Sequence, residues 1–211
     1  MHKGKVILLA FAVSCGLVGC GGDKAPELSS VSIGKDGTIA HHIVGGFDQN
    51  YYEMDGLKAL AEDRVAEYCA DHGGGSVTLI SVEEKEDKIL IQLNYVTDED
   101  YSDFNHRELF VGTLTEADAQ GYPLEAVPFV SSDGKATEIG YMEEHDKKQI
   151  VIIATKPSEE LLVNTYGKVL YVNRSEAGEP EVSFYGKKSA HIMYPANEDT
   201  DESVLSYIIF E

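Results

Sequence analysis

From Val127 onward, turn residues cut the chain into short apolar stretches. These are Val127–Val130, Glu138–Met142, Ile150–Thr155, Leu161–Val163, Lys168–Val172, Val182–Tyr185, Ala190–Met193 and Val204–Phe210. Turns recurring at roughly 8 to 12 positions are the rhythm of antiparallel β structure. Residues 126–211 are therefore expected to form a β-rich, sandwich-like module. No tandem repeat stands out within it.

The preceding region, 31–125, reads differently. Val31–Ile33 and Thr38–Val44 flank Gly34-Lys35-Asp36-Gly37, a turn in which Asp-Gly supplies the positive φ that tight hairpins need. In the second strand Ile39, His41 and Ile43 share one face, and Ala40, His42 and Val44 the other. Residues 55–72 carry Leu57, Leu60, Ala61, Val65, Tyr68, Cys69 and His72 at helical spacing, with Asp55 placed to cap the start and Gly73-Gly74-Gly75 to end it. A helix with one apolar stripe needs a sheet to lie on. Ser76–Val82 and Lys88–Val96, joined by the acidic turn Glu83–Asp87, supply a second hairpin. Thr97 with Asp100, and Thr115 with Asp118, have the spacing of capping boxes, and Leu109–Thr113 between them reads as a short buried strand. The fold class expected is α+β: antiparallel hairpins packed by one amphipathic helix, then the β module, either as a separate domain or continuous with the first.

The N-terminus carries an address. Lys3 and Lys5 precede an apolar run, Val6–Ser14, of signal-peptide length. Val6 to Gly19 would span about 21 Å as a helix, against roughly 30 Å of bilayer hydrocarbon, so a transmembrane reading is the weaker one. Leu17-Val18-Gly19-Cys20 ends that run in the manner of a lipoprotein signal: small Gly19 admits a peptidase, and Cys20 becomes the lipidated first residue. Two acyl chains on one diacylglycerol suffice for stable anchoring. The organisation expected is a signal peptide over 1–19, a Gly-, Ser- and Pro-containing tether over 20–30, and the folded body beyond. Cys15 leaves with the signal, so Cys69 is the one free thiol and the fold must rest on packing.

Charge then excludes a function class. The chain carries 37 acidic and 17 basic residues, a net charge of −20, which repels nucleic-acid phosphates and anionic lipid head groups alike. No nucleic-acid partner is expected, and the membrane is reached through the lipid on Cys20.

The motifs of common chemistries do not assemble. An EF-hand begun at Asp98 has Asp100 and Ser102 in place but Asp103 where glycine belongs and Leu109 where the bidentate glutamate belongs; one begun at Asn197 has Glu202 at the glycine position. His41 and His42 diverge on a strand, and Cys69 with His72 lacks a second ligand pair. Ser32-x-x-Lys35 and Ser132-x-x-Lys135 fall across turns and have no accompanying K-T-G strand. Acids flank Cys69, which argues against an activated thiolate. Gly186-Lys187-Lys188-Ser189 lacks the upstream glycine of a phosphate loop. With no tryptophan for sugar stacking, Tyr51, Tyr52 and Tyr101 are the tyrosines expected to be free for surface contacts.

Several strings bear a resemblance: Ser32-Ile33 with Lys35-Asp36-Gly37, Phe47-Asp48 with Tyr51-Tyr52, Asp55 and Leu57. Asp100-Tyr101 with Phe104-Asn105, Leu109–Thr113, and Gly167–Val172 extend it over most of the chain. Through them the chain resembles uncharacterised lipoproteins of Gram-positive gut anaerobes. The resemblance implies a lipid-anchored, extracytoplasmic location and carries no activity or functional residue.

The reading that follows is a non-enzymatic binding or interaction module at the cell surface, with a surface protein or a glycan as partner and no cofactor or metal. The alternative is an extracytoplasmic hydrolase whose site assembles from distant acids and histidines, such as His41 or His106 beside a carboxylate.

Overall fold

The computed structural model describes residues 27–46, 53–142, 147–175, 178–196 and 200–211. The expected leader and Cys20, Tyr51 and Tyr52, and Asn197 to Asp199 lie outside them. Strands β1 (Ser29–Ile33) and β2 (Ile39–Gly46) form the first hairpin, and β3 (Val77–Lys85) and β4 (Lys88–Tyr95) the second. The second hairpin is longer than its sequence implied. Its turn contracts to Glu86 and Asp87, both at positive φ (53° and 60°), where an acidic five-residue turn was expected.

Helix α1 (Met54–His72) lies where the spacing placed it and ends at Gly73, whose N–H donates to the Cys69 carbonyl. Two details differ from expectation. Glu53, not Asp55, is the N-cap, and it makes no side-chain cap bond. The apolar stripe is only half used: Val65, Tyr68 and Cys69 pack on the core, whereas Leu60 is 65% exposed. The helix thus meets β3 chiefly through its C-terminal half.

Next come α2 (Asp98–Asn105), β5 (Leu109–Thr113) and α3 (Leu114–Ala119). The Thr97–Asp100 capping box forms as expected, with the Asp100 N–H donating to Thr97 Oγ1 at 3.0 Å. The second box is Thr113–Glu116, two residues before the expected Thr115–Asp118, because β5 runs straight into α3 and Thr113 is the hinge residue. The remaining strands are β6 (Phe129–Ser131), β7 (Ala136–Thr137), β8 (Gln149–Thr155), β9 (Glu160–Asn164), β10 (Val169–Asn173), β11 (Glu181–Phe184), β12 (Ser189–Met193) and β13 (Val204–Phe210). The stretch Glu138–Met142 is not a strand but a 3₁₀ turn over Ile139–Tyr141. One turn of that helix points Ile139 and Met142 into the same core, which an alternating strand would not do.

The molecule is α+β, with two sheets drawn from both halves of the sequence. One has the strand order β11-β12-β9-β1-β2-β4-β3, the other β5-β8-β13-β10-β6-β7. Strand β1 pairs with β9 in parallel, the one parallel ladder among the described residues, and β5 pairs with β8. A boundary near residue 125 therefore crosses both sheets, and the two regions are continuous.

The sheets pack face to face. Val31, Ile33, Ile39, Leu93, Val163 and Ile192 of the larger sheet meet Val151, Ile153, Ile208 and Phe210 of the smaller. The smaller sheet's other face carries Phe110, Ile150, Ile152, Tyr207 and Ile209 into a second core closed by Leu114, Ala117, Leu124, Ile139 and Met142. Strand β8, covered on both faces, is consequently buried from Ile150 to Thr155. The larger sheet's outward face is polar: Ser189 Oγ donates to Asn164 Oδ1 (2.7 Å), and Asn164 Nδ2 to Ser32 Oγ (3.1 Å).

Glu211 is zipped to Lys168, the residue just before β10. The Lys168 N–H donates to the Glu211 carbonyl (2.7 Å) and the Glu211 N–H to the Lys168 carbonyl (3.0 Å). Gly167 makes this approach possible, since a Cβ there would overlap that same Glu211 carbonyl. Gly167→Ala is expected to cost about 1–3 kcal/mol, because backbone rather than a yielding side chain must shift. Urea unfolding of the variant against the parent measures it.

Candidate binding cleft

Strand alternation puts His41 on the inward face of β2, between Ile39 and Ile43 and opposite Leu93 of β4. An imidazole there meets aromatic rings. Its centroid lies 5.2 Å from that of Tyr101 and 6.4 Å from that of Tyr95, and the two tyrosine rings are edge-on at 5.1 Å. Helix α2 delivers Tyr101 to this position because its capping box fixes the start of the helix and Tyr101 and Phe104 share its buried side.

A cleft of about 490 Å³ opens beside this cluster, of a size suited to a small molecule. Its walls are the approach to β1 (Glu27 to Ser29), His41 to Val44 of β2, Tyr101 and Asn105 of α2, Arg107, and the segment Ser158 to Leu161 entering β9. Arg107 forms an ion pair with Glu159 across the cleft wall. The other Glu159 oxygen accepts the Lys156 N–H at 2.9 Å, and Glu160 Oε1 is bonded to His191 Nε2 at 2.8 Å. Both carboxylates are thus engaged away from His41.

Two polar atoms here have no partner among the described residues. His41 Nδ1 and Tyr101 Oη are buried and unbonded, although His41 is only 7% exposed and Tyr101 fully buried. Each carries the desolvation cost of a group that water or a partner would otherwise satisfy. Their neighbours are satisfied: Tyr95 Oη donates to Asn105 Oδ1 (3.4 Å), and Asn105 Nδ2 donates to the Tyr101 carbonyl (2.7 Å). Burial, followed by the Arg107 charge and His42, pushes the His41 pKa down to about 4, so the imidazole is neutral at neutral pH. Burial raises the Tyr101 pKa, the charge of Arg107 and its approach to the hydroxyl work against that rise, and the Glu159 charge adds to it.

The other residues singled out from sequence sit elsewhere. His106 ends α2 in a left-handed conformation (φ 49°), its N–H on the Asp103 and Ser102 carbonyls. His72 stacks on Tyr68 at 4.0 Å between centroids, and Cys69 Sγ donates to the Val77 carbonyl at 3.3 Å, so this pair is used in packing. Asp98 accepts the Val111 N–H at 2.7 Å and serves the α2–β5 joint. Among the described residues no three His, Cys, Asp or Glu side chains are grouped as a metal ion would need. Tyr101, expected at the surface, is buried: it lies on the side of α2 that closes the core. Arg107 and Glu159 escaped the sequence reading because they are 52 residues apart and meet only through the fold. His41 left a signal, as an ionisable residue on an otherwise apolar inward face.

No protein-family model matches this chain, and neither does a curated protein or a solved structure.

Proposed function

We propose that this protein is a lipid-anchored, extracytoplasmic binding module that takes a small polar ligand in the cleft beside His41 and Tyr101. One observation carries the binding half: two buried, unpartnered polar atoms on the walls of a ligand-sized cleft. A fold keeps such atoms at a cost, which a bound molecule would offset. The hydrolase alternative is the weaker reading of the same cleft. A general base works best with a pKa near the ambient pH, and His41 lies near 4, with no carboxylate to orient its Nδ1. Direct titration of the full-length protein in detergent with a small-molecule panel tests binding, with Tyr101→Phe as the control. Saturable binding that weakens in the variant supports the cleft; binding indifferent to Tyr101 removes it.

The anchoring half rests on Lys3, Lys5, the apolar run Val6–Ser14 and Cys20, and on the resemblance to lipoproteins of Gram-positive gut anaerobes. No helix among the described residues is long and apolar enough to cross a membrane. Cys20→Ala is expected to abolish labelling by radioactive palmitate and to move the protein from the membrane pellet to the supernatant. A variant that still sediments like the parent ends the anchor reading.

A further inference from the structure

The cleft's polar groups are unequal in kind. At its base stand donors in excess: the Tyr101 hydroxyl, His41 Nδ1–H in that tautomer, and the Arg107 guanidinium. A guanidinium offers five N–H donors, and a carboxylate can occupy at most two in a bidentate pair, so Arg107 keeps donors to spare beside Glu159. Arg107 disfavours protonation of His41, while its own charge is paired with Glu159, which Tyr101 also senses. The mouth is the opposite. Glu27 and Glu160 line it, and the body behind it belongs to a chain of net charge −20. A simple anion would be repelled on approach, and a simple cation would find at the base only a carboxylate already engaged by Arg107 and the Lys156 N–H.

Resting on the cleft reading above, we propose that the ligand is a small zwitterion, an amino acid or the end of a short peptide. Its carboxylate would sit among Arg107, Tyr101 and His41, and its ammonium group against the glutamates of the mouth. The Arg107–Glu159 pair shows that the guanidinium already holds a carboxylate in this place. A ligand carboxylate would add the acceptor that the two unpartnered atoms lack.

The test uses alanine and dialanine as probes, with alaninamide lacking the carboxylate and propionate lacking the ammonium group. Titration calorimetry on the full-length protein, with chemical-shift mapping of the Tyr101 ring, is the readout. Alanine or dialanine should bind at least about tenfold more tightly than both truncated probes. Tyr101→Phe should weaken them by about tenfold or more, as loss of a hydrogen bond to a charged group does. Gln92→Ala, on the outward sheet face, is the control expected to bind as the parent does. Propionate or alaninamide binding as well as alanine, still dependent on Tyr101, overturns the zwitterion and leaves the cleft standing. No saturable binding by alanine or dialanine overturns it too. If, in addition, nothing in the wider panel depends on Tyr101, the cleft reading falls with it.

Discussion

Acidification from pH 6.5 to pH 4 is expected to remove about 3 kcal/mol of stability through His41 alone. The folded-state pKa is about 4 against an ordinary 6.5, lowered by burial first and by the Arg107 charge second. The unfolded chain therefore takes up a proton that the folded protein refuses throughout that window. The contribution is fully present above 6.5, is lost progressively as the pH falls, and does not change further below 4. Each unit corresponds to about 1.4 kcal/mol, which sets the total. His42 is also lowered by burial, so the parent's slope includes both. Asp36, Glu116 and Asp133 have depressed carboxyl pKa values and act at lower pH. Urea midpoints of the parent and His41→Gln across this range isolate the His41 share. Equal slopes in the two proteins would refute the assignment. A ring-proton titration of His41 in the parent gives the same answer without any variant.

Ile152→Ala and Ile153→Ala are each expected to cost 2–5 kcal/mol, the range found for truncating a fully buried aliphatic side chain. Ile152 faces the core closed by α3 and the 3₁₀ turns over Leu124–Ala126 and Ile139–Tyr141; Ile153 faces the larger sheet. Neighbouring residues of one strand would ordinarily divide between core and solvent. Here both are fully buried because β8 lies in the middle layer, between β5 and β13. Each loss would lower the melting temperature by several degrees or more. If either variant melts with the parent, one face of the smaller sheet is not packed as described.

Local pattern made most of the strands legible. In β8, β12 and β13 the apolar runs and their bounding turns agree with the observed limits to within a residue or two. The hairpin β1–β2 was readable because Asp36-Gly37 permits little else. The failures share a cause, which is that the deciding contact is remote. Glu138–Met142 has an apolar spacing that suits a strand, and only the pocket above Ile150 and Ile152 selects the 3₁₀ turn. Of the helical stripe from Leu57 to His72, only Val65, Tyr68 and Cys69 pack on the core, and those only partly buried, while Leu60 and His72 are exposed. The division near residue 125 looked natural in composition, but the β1–β9 and β5–β8 ladders join residues far apart in sequence. The cleft was the least legible feature. His41 stood out on an apolar face, but Tyr101, Arg107 and Glu159 come from a helix, a loop and a strand approach that no spacing rule connects.

The place of β1 has a mechanical consequence. The strand lies inside the seven-stranded sheet, held by an antiparallel ladder to β2 on one side and a parallel ladder to β9 on the other. Tension applied to the chain ahead of Ser29 would run along the strand axis. The rungs on both sides would then share the strain in shear instead of opening singly as in peeling. A body tugged from its N-terminal end would thus be gripped at one of its sturdier seams, and the handle would sit beside the cleft that Glu27 and Ser29 help to line.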